Sequence, residues 1–363
     1  MESWAPSWTA EPWDRVGLVV GESGAEVRRA WVALELGEEL LDQAQAAGVQ
    51  MLLLHHPPLF KPLERLLTDQ PATARLLRAA TQGMALFAAH TNLDAAPAGV
   101  NDALARRLGL VELEVLAPLD RGLLKLVTFV PPEHRPAVAE ALFQAGAGRI
   151  GDYRECAFRQ RGMGGFLAPA HGDPFIGTPG QREEVEEERL EVVLPEAQAG
   201  RVLESLRRAH PYEEPAYDLY PLRQGPSGVG LGRVGRLERP LEGKEFLERA
   251  ARRLGAHSPS WSGPLPRRLE RVAVVGGSGG DLLPLAAAAG AQLMVTGEAH
   301  YHHYEMAEDL KICLAVMGHF QTEVVIVEPW ARRLGRMLET AGLSCVVEPW
   351  TGGRDPWRPI GES

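Results

Sequence analysis

MLLLHHPPLF, residues 51–60, sets four apolar residues against two adjacent histidines and two prolines. Met51 to Leu54 reads as the end of a buried strand. His55 and His56 then stand where that strand meets a turn fixed by Pro57 and Pro58. In α/β proteins, ligand sites lie where strands leave the sheet. Neighbouring side chains on an extended chain point to opposite sides. Two adjacent imidazoles serving one site therefore need an irregular backbone, or two objects to hold. Two metal ions would be two such objects, since His is the commonest metal ligand near neutral pH. The plainer reading of this stretch alone is a solvated loop.

Two further stretches bear on the choice. AAHTNLD carries His90 and Asp94 after a second apolar run, and MGHFQTE carries His319 and Glu323. The latter two are spaced i, i+4. If Gly318 opens a helix, both lie on one face, one turn apart, which is the spacing a helix uses to give two ligands to one ion. Taken singly, either pair is a weak signal, since a helical His and Glu are more often a surface ion pair. Taken together, these histidines and carboxylates suit Zn, Mn or Fe better than Mg or Ca, which prefer all-oxygen shells.

HHPPLF, HTNLD and GHFQTE, in this order, resemble the three metal-binding motifs of the Nif-three-like (NGG-one-interacting-factor-three-like) dinuclear-metal family. Its members are often named GTP cyclohydrolase type 2 homologues. The resemblance extends to WDRVGLVVG, HPYEEPAYDLYPL, GLGRVG and TGEAHYH and covers nearly the whole chain. It implies two divalent metal ions per subunit, ligated by His55, His56, Asp94, His319 and Glu323, with Asp94 as the bridge. It also implies a homohexameric ring. Glu298 and His302 match the family's TGD-x-x-x-H positions, with a carboxylate one methylene longer. They are expected beside the metals, orienting ligands or moving protons; the plainer reading is a polar helix start with Glu298 at the positive end. The family's WDN-GL motif has Arg15 in place of its Asn, and Trp13 is expected to be a core anchor.

The 363 residues suggest two or more domains, and 45% hydrophobic residues supply a sizeable core. Alternating strands and helices over residues 16–120 argue an α/β layer fold. From about Leu123 the texture changes. LLKLVTFVP, a helix over Pro131 to Ala145, GRIGDYRECAF, RLEVVLP, a helix over Gln198 to Ala209 and DLYPL follow the βαββαβ order of a ferredoxin-like module. GMGGFLAPAHGDPFIGTPG reads as a long loop within it, and REEVEEERLE as a solvated edge. Some members of the resembling family carry such a PII-like insert. The expected domains are therefore 1–121 and 231–363, forming one discontinuous metal-binding α/β domain, and 122–230, an inserted PII-like α+β domain. RVAVVGGSGGD is a strand entering a glycine turn that either cradles phosphate or simply turns tightly. One helix is expected from Gln321 to Ala341, and the tail GGRDPWRPIGES reads as mobile.

A formal charge of −10 argues against broad nucleic-acid binding. Three widely spaced cysteines, Cys156, Cys313 and Cys345, read as reduced. The start has no apolar signal core, and no run approaches a membrane span. The protein is expected to be soluble and cytoplasmic. Two functions follow. One is a metal-dependent hydrolase with GTP cyclohydrolase-type activity, in which water attacks C8 of the guanine ring and the glycine turn helps hold phosphates; its ligand would be a nucleotide or phosphorylated small molecule. The alternative is a non-catalytic metal-binding or ligand-sensing assembly protein.

Overall fold

The computed structural model describes residues 1–358 apart from residues 121, 152, 224, 226 and 227. The chain divides into two compact units, Met1–Pro118 with Gly228–Ser363, and Leu119–Ser227. The first stretch carries β1 (Gly17–Val20), β2 (Arg29–Ala33), α1 (Glu38–Ala46), β3 (Met51–Leu54), α2 (Pro71–Thr81), β4 (Ala85–Ala88), α3 (Thr91–Ala95), α4 (Val100–Leu108) and β5 (Leu110–Pro118). The inserted unit holds β6 (Leu123–Val130), α5 (Arg135–Gln144), β7 (Ala157–Leu167), β8 (Arg182–Pro195), α6 (Ala199–Ala209) and β9 (Tyr217–Leu222). The return stretch holds β10 (Gly230–Leu241), α7 (Gly243–Leu254), β11 (Ser260–Ser262), β12 (Leu269–Ser278), α8 (Leu283–Ala288), β13 (Leu293–Glu298), α9 (Tyr301–Asp309), β14 (Cys313–Val316), α10 (His319–Glu323), α11 (Val327–Thr340) and β15 (Val346–Pro349).

Among the described residues the larger unit contains two sheets, ordered β1-β4-β3-β2-β15 and β11-β14-β13-β12-β10-β5. β15, β2, β3 and β4 run parallel, as do β12, β13 and β14. Parallel strands are buried on both faces and read as continuous apolar runs. MLLL and ALFA do so, with Leu52, Leu54, Leu86 and Ala88 wholly buried. Trp330 of α11 is fully buried against Ala30, Val32 and Leu53, and each such side chain contributes about 1.5–3 kcal/mol. Arg233, in the GLGRVG motif, is buried too. Its guanidinium donates to Asp102 Oδ2 (2.7 Å) and to the carbonyls of Ala96, Gly230 and Gly232, tying β10 to the α3–α4 segment. No helix among the described residues is long and apolar enough to cross a membrane.

The inserted unit is a βαββαβ sequence with strand order β7-β8-β6-β9, each neighbouring pair antiparallel. Val138 and Leu142 of α5 and Val202 and Leu206 of α6 are fully buried in one core with Leu126, Leu190 and Val192.

Several local expectations differ from the structure. The alternating LVELEVLAP forms β5, a strand not among the expected elements. GMGGFL belongs to β7 rather than to a loop, because β8 is long enough to pair with it from Ala157↔Val192 to Leu167↔Arg182. A glycine-rich strand is tolerated at this edge. Gly164 also leaves room for the Glu187 carboxyl, whose Cδ would lie 2.7 Å from an added Cβ. The acidic run therefore sits in a central strand, with Glu187 and Glu188 buried. The helix expected over Gln321 to Ala341 is two helices separated by a tight turn at Val324–Ile326. Pro329 explains the break: lacking an N–H, it fits the first turn of α11 and cannot continue a helix already running. The tail is tied down as far as Asp355, whose Oδ2 accepts from Gln321 Nε2 at 2.7 Å; residues 359–363 lie outside the described residues.

Candidate metal centre

The carboxyl ends of β3 and β4 face those of β12, β13 and β14 within the larger unit, and five polar side chains converge there. His55 and His56 follow β3, Asp94 lies on α3 after β4, and His319 and Glu323 lie on α10 after β14. Gly318, at φ +98°, makes the left-handed turn that starts α10 directly after the strand. The i, i+4 spacing then brings His319 Nε2 to 3.1 Å from Glu323 Oε2. His56 Nε2 lies 2.8 Å from the same oxygen. His55 Nε2 is 3.6 Å from Asp94 Oδ1 and 3.8 Å from Glu323 Oε1. The adjacent histidines thus address two spots, and Glu323 is the carboxylate that reaches both.

The outward nitrogens share a pattern. His55 Nδ1 donates to the Ala89 carbonyl at 3.0 Å, so the neutral ring holds its lone pair at Nε2. His319 Nδ1 faces Glu298 Oε1 at 3.3 Å, and His56 Nδ1 faces Glu35 Oε2 at 3.9 Å. His90 joins the cluster: its Nδ1 donates to Asp14 Oδ1 at 3.0 Å, while Asp14 Oδ2 accepts from the N–H of Thr91. Metal-bound histidines characteristically donate their second ring nitrogen to such acceptors. Two observations test whether a cation fits. His55 Nε2 and Asp94 Oδ1 are buried without a hydrogen-bond partner. Gly277, at φ +62°, carries no side chain where a Cβ would overlap Glu323 Oε1. In each of the groups His55–His56–His90 and His56–His319–Glu323, three ligand atoms lie within 4.8 Å of one another, close enough to meet at one cation.

The charges are strongly coupled. Burial pushes His56 and His319 down, but the Glu323 carboxylate, helped by Glu35 and Glu298 respectively, raises each to about 9. Burial, reinforced by the Glu323 charge, lifts Asp94 to about 6 against the pull of His55. Burial also pushes Glu323 up, yet His319, His55 and His56 hold it well below the usual carboxylate range. Asp14 is likewise buried but is held down to about 2 by His90 and Thr91. The cluster has the electrostatics of a site that protons occupy when nothing else does.

Glu298 stands beside the cluster, contacting His319 and accepting from Ser278 Oγ at 2.8 Å. His302 lies with its neighbours on α9, its ring 4.0 Å from His303 and 5.8 Å from His300, and its ligand atom is grouped with His303 and with Asp281, which lines the cavity described below. The glycine turn is a tight turn rather than an open phosphate cradle. The N–H groups of Gly276, Gly277 and Gly279 donate to Asn101 Oδ1, Thr322 Oγ1 and Thr296 Oγ1. Asp14, Glu35 and the His90 backing went unassigned from sequence, because each acts across a long chain separation. Only the acid in WDRVGLVVG offered a signal.

His56, His90, Asp94, His319 and Glu323 line a cavity of about 720 Å³. Trp13, expected in the core, lines it instead and is 57% exposed. Trp4 takes the buried place, with its indole N–H donating to Pro97 O at 2.7 Å.

The sequence model of the Duf34/NIF3 (NGG1p interacting factor 3) family matches residues 1–350. A Halalkalibacterium halodurans protein named "GTP cyclohydrolase 1 type 2 homolog" is 38% identical over 314 residues, which are 86% of this chain and 84% of that protein. A Bacillus subtilis protein of the same name is 38% identical over 337 residues, 93% of this chain and 90% of that protein. The crystal structure of a Bacillus cereus protein related to NIF3 matches with a TM-score of 0.81 at 35% identity, covering 99% of this chain and 96% of that one.

Proposed function

The chain belongs to the Duf34/NIF3 family, and from that premise we propose that it is a dinuclear-metal hydrolase acting on a nucleotide or phosphorylated small molecule. GTP cyclohydrolase-type chemistry is the first activity to test. The observation that carries the reading is the facing pair of buried, unpartnered atoms, His55 Nε2 and Asp94 Oδ1, 3.6 Å apart. A lone pair and a carboxylate oxygen at that spacing call for a cation. His55, Asp94 and Glu323 would hold one ion, and His56, His319 and Glu323 the other, from the borderline set Zn, Mn or Fe. When bound, paired ions lower the pKa of water and stabilise both attacking and leaving oxygens.

The chain's own groups prepare that chemistry. Ala89 O and Glu298 orient His55 and His319 through their Nδ1 atoms. Asp14 does the same for His90, which lines the cavity and would accept a proton from substrate or water through its other ring nitrogen. The inserted unit is read as a PII-like module, the assembly as a homohexamer and the location as cytoplasmic.

The test is metal analysis together with a product scan by mass spectrometry, using metal-loaded protein with GTP, other nucleotides and phosphoesters. A chelated sample and Asp94→Ala serve as controls. Metal-dependent opening of the guanine ring establishes the cyclohydrolase reading, and release of phosphate alone points to a phosphohydrolase. Full metal loading with no product from any member of the panel leaves the non-catalytic alternative, in which the metal is structural or delivered and the insert senses a ligand.

A further inference from the structure

Two large aromatic side chains stand in the open on the cavity wall. Trp13 is 57% exposed and Phe60 49% exposed, and both line the same cavity as the clustered histidines. Each meets the His90 ring edge-on, Trp13 at 5.9 Å and 73°, Phe60 at 5.8 Å and 78°. They come from segments far apart in sequence, one before β1 and the other after the His-His-Pro turn, so their meeting at one imidazole is a product of the fold. Leaving two such faces in water forfeits burial that each ring would otherwise contribute. The remaining wall adds hydrogen-bond acceptors: the Glu35 and Asp281 carboxylates also line the cavity. The nearby turn offers little to phosphate, since the N–H groups of Gly276, Gly277 and Gly279 are already engaged.

We propose that Trp13 and Phe60 form an aromatic grip that selects a planar nitrogen heterocycle bearing N–H donors, of the kind presented by a purine nucleoside. The inference rests on the cavity being the substrate site of the function proposed above, and it adds the part of the substrate that the protein recognises. The ring stacks on the exposed aromatic faces, and its N–H groups donate to the carboxylates at the rim. About 720 Å³ accommodates a nucleoside, since small-molecule sites run from about 300 to 1,000 Å³.

The test is calorimetric binding of guanosine and of inorganic tripolyphosphate to the metal-loaded full-length protein. The variants are Trp13→Ala, Trp13→Phe, Phe60→Ala and, as a control away from the cavity, Trp261→Ala. Metal content is measured for each. Stacking on an aromatic side chain is worth enough that Trp13→Ala and Phe60→Ala should each weaken guanosine binding by about fivefold or more. Trp13→Phe should restore most of the affinity. Tripolyphosphate binding and metal content should not move, and Trp261→Ala should match the parent. Guanosine affinity unchanged in both alanine variants, no guanosine binding to the parent, or loss of metal together with ligand in Trp13→Ala would each overturn the proposal. Binding that depends on Trp13 and Phe60, with no turnover of any substrate, would instead sink the hydrolase reading and leave the aromatic grip standing.

Discussion

Replacing Gly277 by alanine separates backbone strain from damage to the metal centre. Gly277 sits at φ +62°, where a residue with a Cβ is strained by about 1–2 kcal/mol. Its added Cβ would also overlap Glu323 Oε1, with the carboxyl carbon at 3.3 Å and His319 Cε1 at 3.4 Å. Glu323 must then shift by more than the ±0.2 Å or so that a metal site tolerates. Gly290 supplies the control: it has a similar φ of +75°, with nothing within 4 Å of an added Cβ. Both alanine variants should lose about 1–2 kcal/mol of stability and a few degrees of melting temperature. Only Gly277→Ala should lose metal affinity as well, by about 10–100-fold, the usual cost of disturbing the groups around metal ligands. Thermal denaturation and metal titration followed by elemental analysis measure the two effects separately. A Gly277→Ala protein that binds metal as tightly as Gly290→Ala would refute the assignment of Glu323 as a ligand held in place by this turn.

Three further outcomes are expected. Glu323→Gln should empty both metal positions, whereas Asp94→Asn should spare the position formed with His56 and His319; metal-to-protein ratios that fall equally in the two variants would remove Glu323 as the shared carboxylate. Because His56 and His319 hold protons up to about 9 in the metal-free protein, metal must displace protons; apparent affinity should therefore rise as pH increases from about 6.5 to 9, with proton release visible as a buffer-dependent heat. Asp14, held down to about 2, contributes stability that is present above its unfolded pKa and disappears as pH falls through about 2. Between pH 5 and 2 the parent should accordingly lose up to about 2 kcal/mol more than Asp14→Asn, and parallel acid-unfolding curves for the two would count against the His90–Asp14 pair.

The parts of the site legible in sequence were those written in local spacing. An apolar run ending in histidines marks a strand end, and the i, i+4 spacing of His319 and Glu323 fixes a shared helix face. What supports those residues was not legible. Asp14 reaches His90 across 76 residues of sequence, and no local pattern encodes that contact. Trp13 was misread because tryptophan usually seeks the core, and nearby Trp4 already occupies the buried position. The glycine turn resembled a phosphate loop because composition cannot reveal that threonine and asparagine side chains have taken its N–H groups. The extent of β7 depended on its partner strand, which overrode the weak strand preference of its glycines.

The strand pairs flanking the insertion bear on how the chain reaches its fold. Pro118, ending β5, pairs with Gly230, starting β10, so these strands would be an ordinary hairpin if the intervening unit were absent. Bringing them together across about a hundred floppy residues rather than a tight turn would cost roughly 3 kcal/mol of chain entropy. The insert removes most of that penalty by itself. Its first and last strands also pair, Leu123 against Leu222, so once folded it delivers its two ends side by side. An insert that collapses first would act as a clasp for the two stretches of the larger unit. A mutation in its core, such as Leu142→Ala, should therefore slow folding of the larger unit before it alters the finished site.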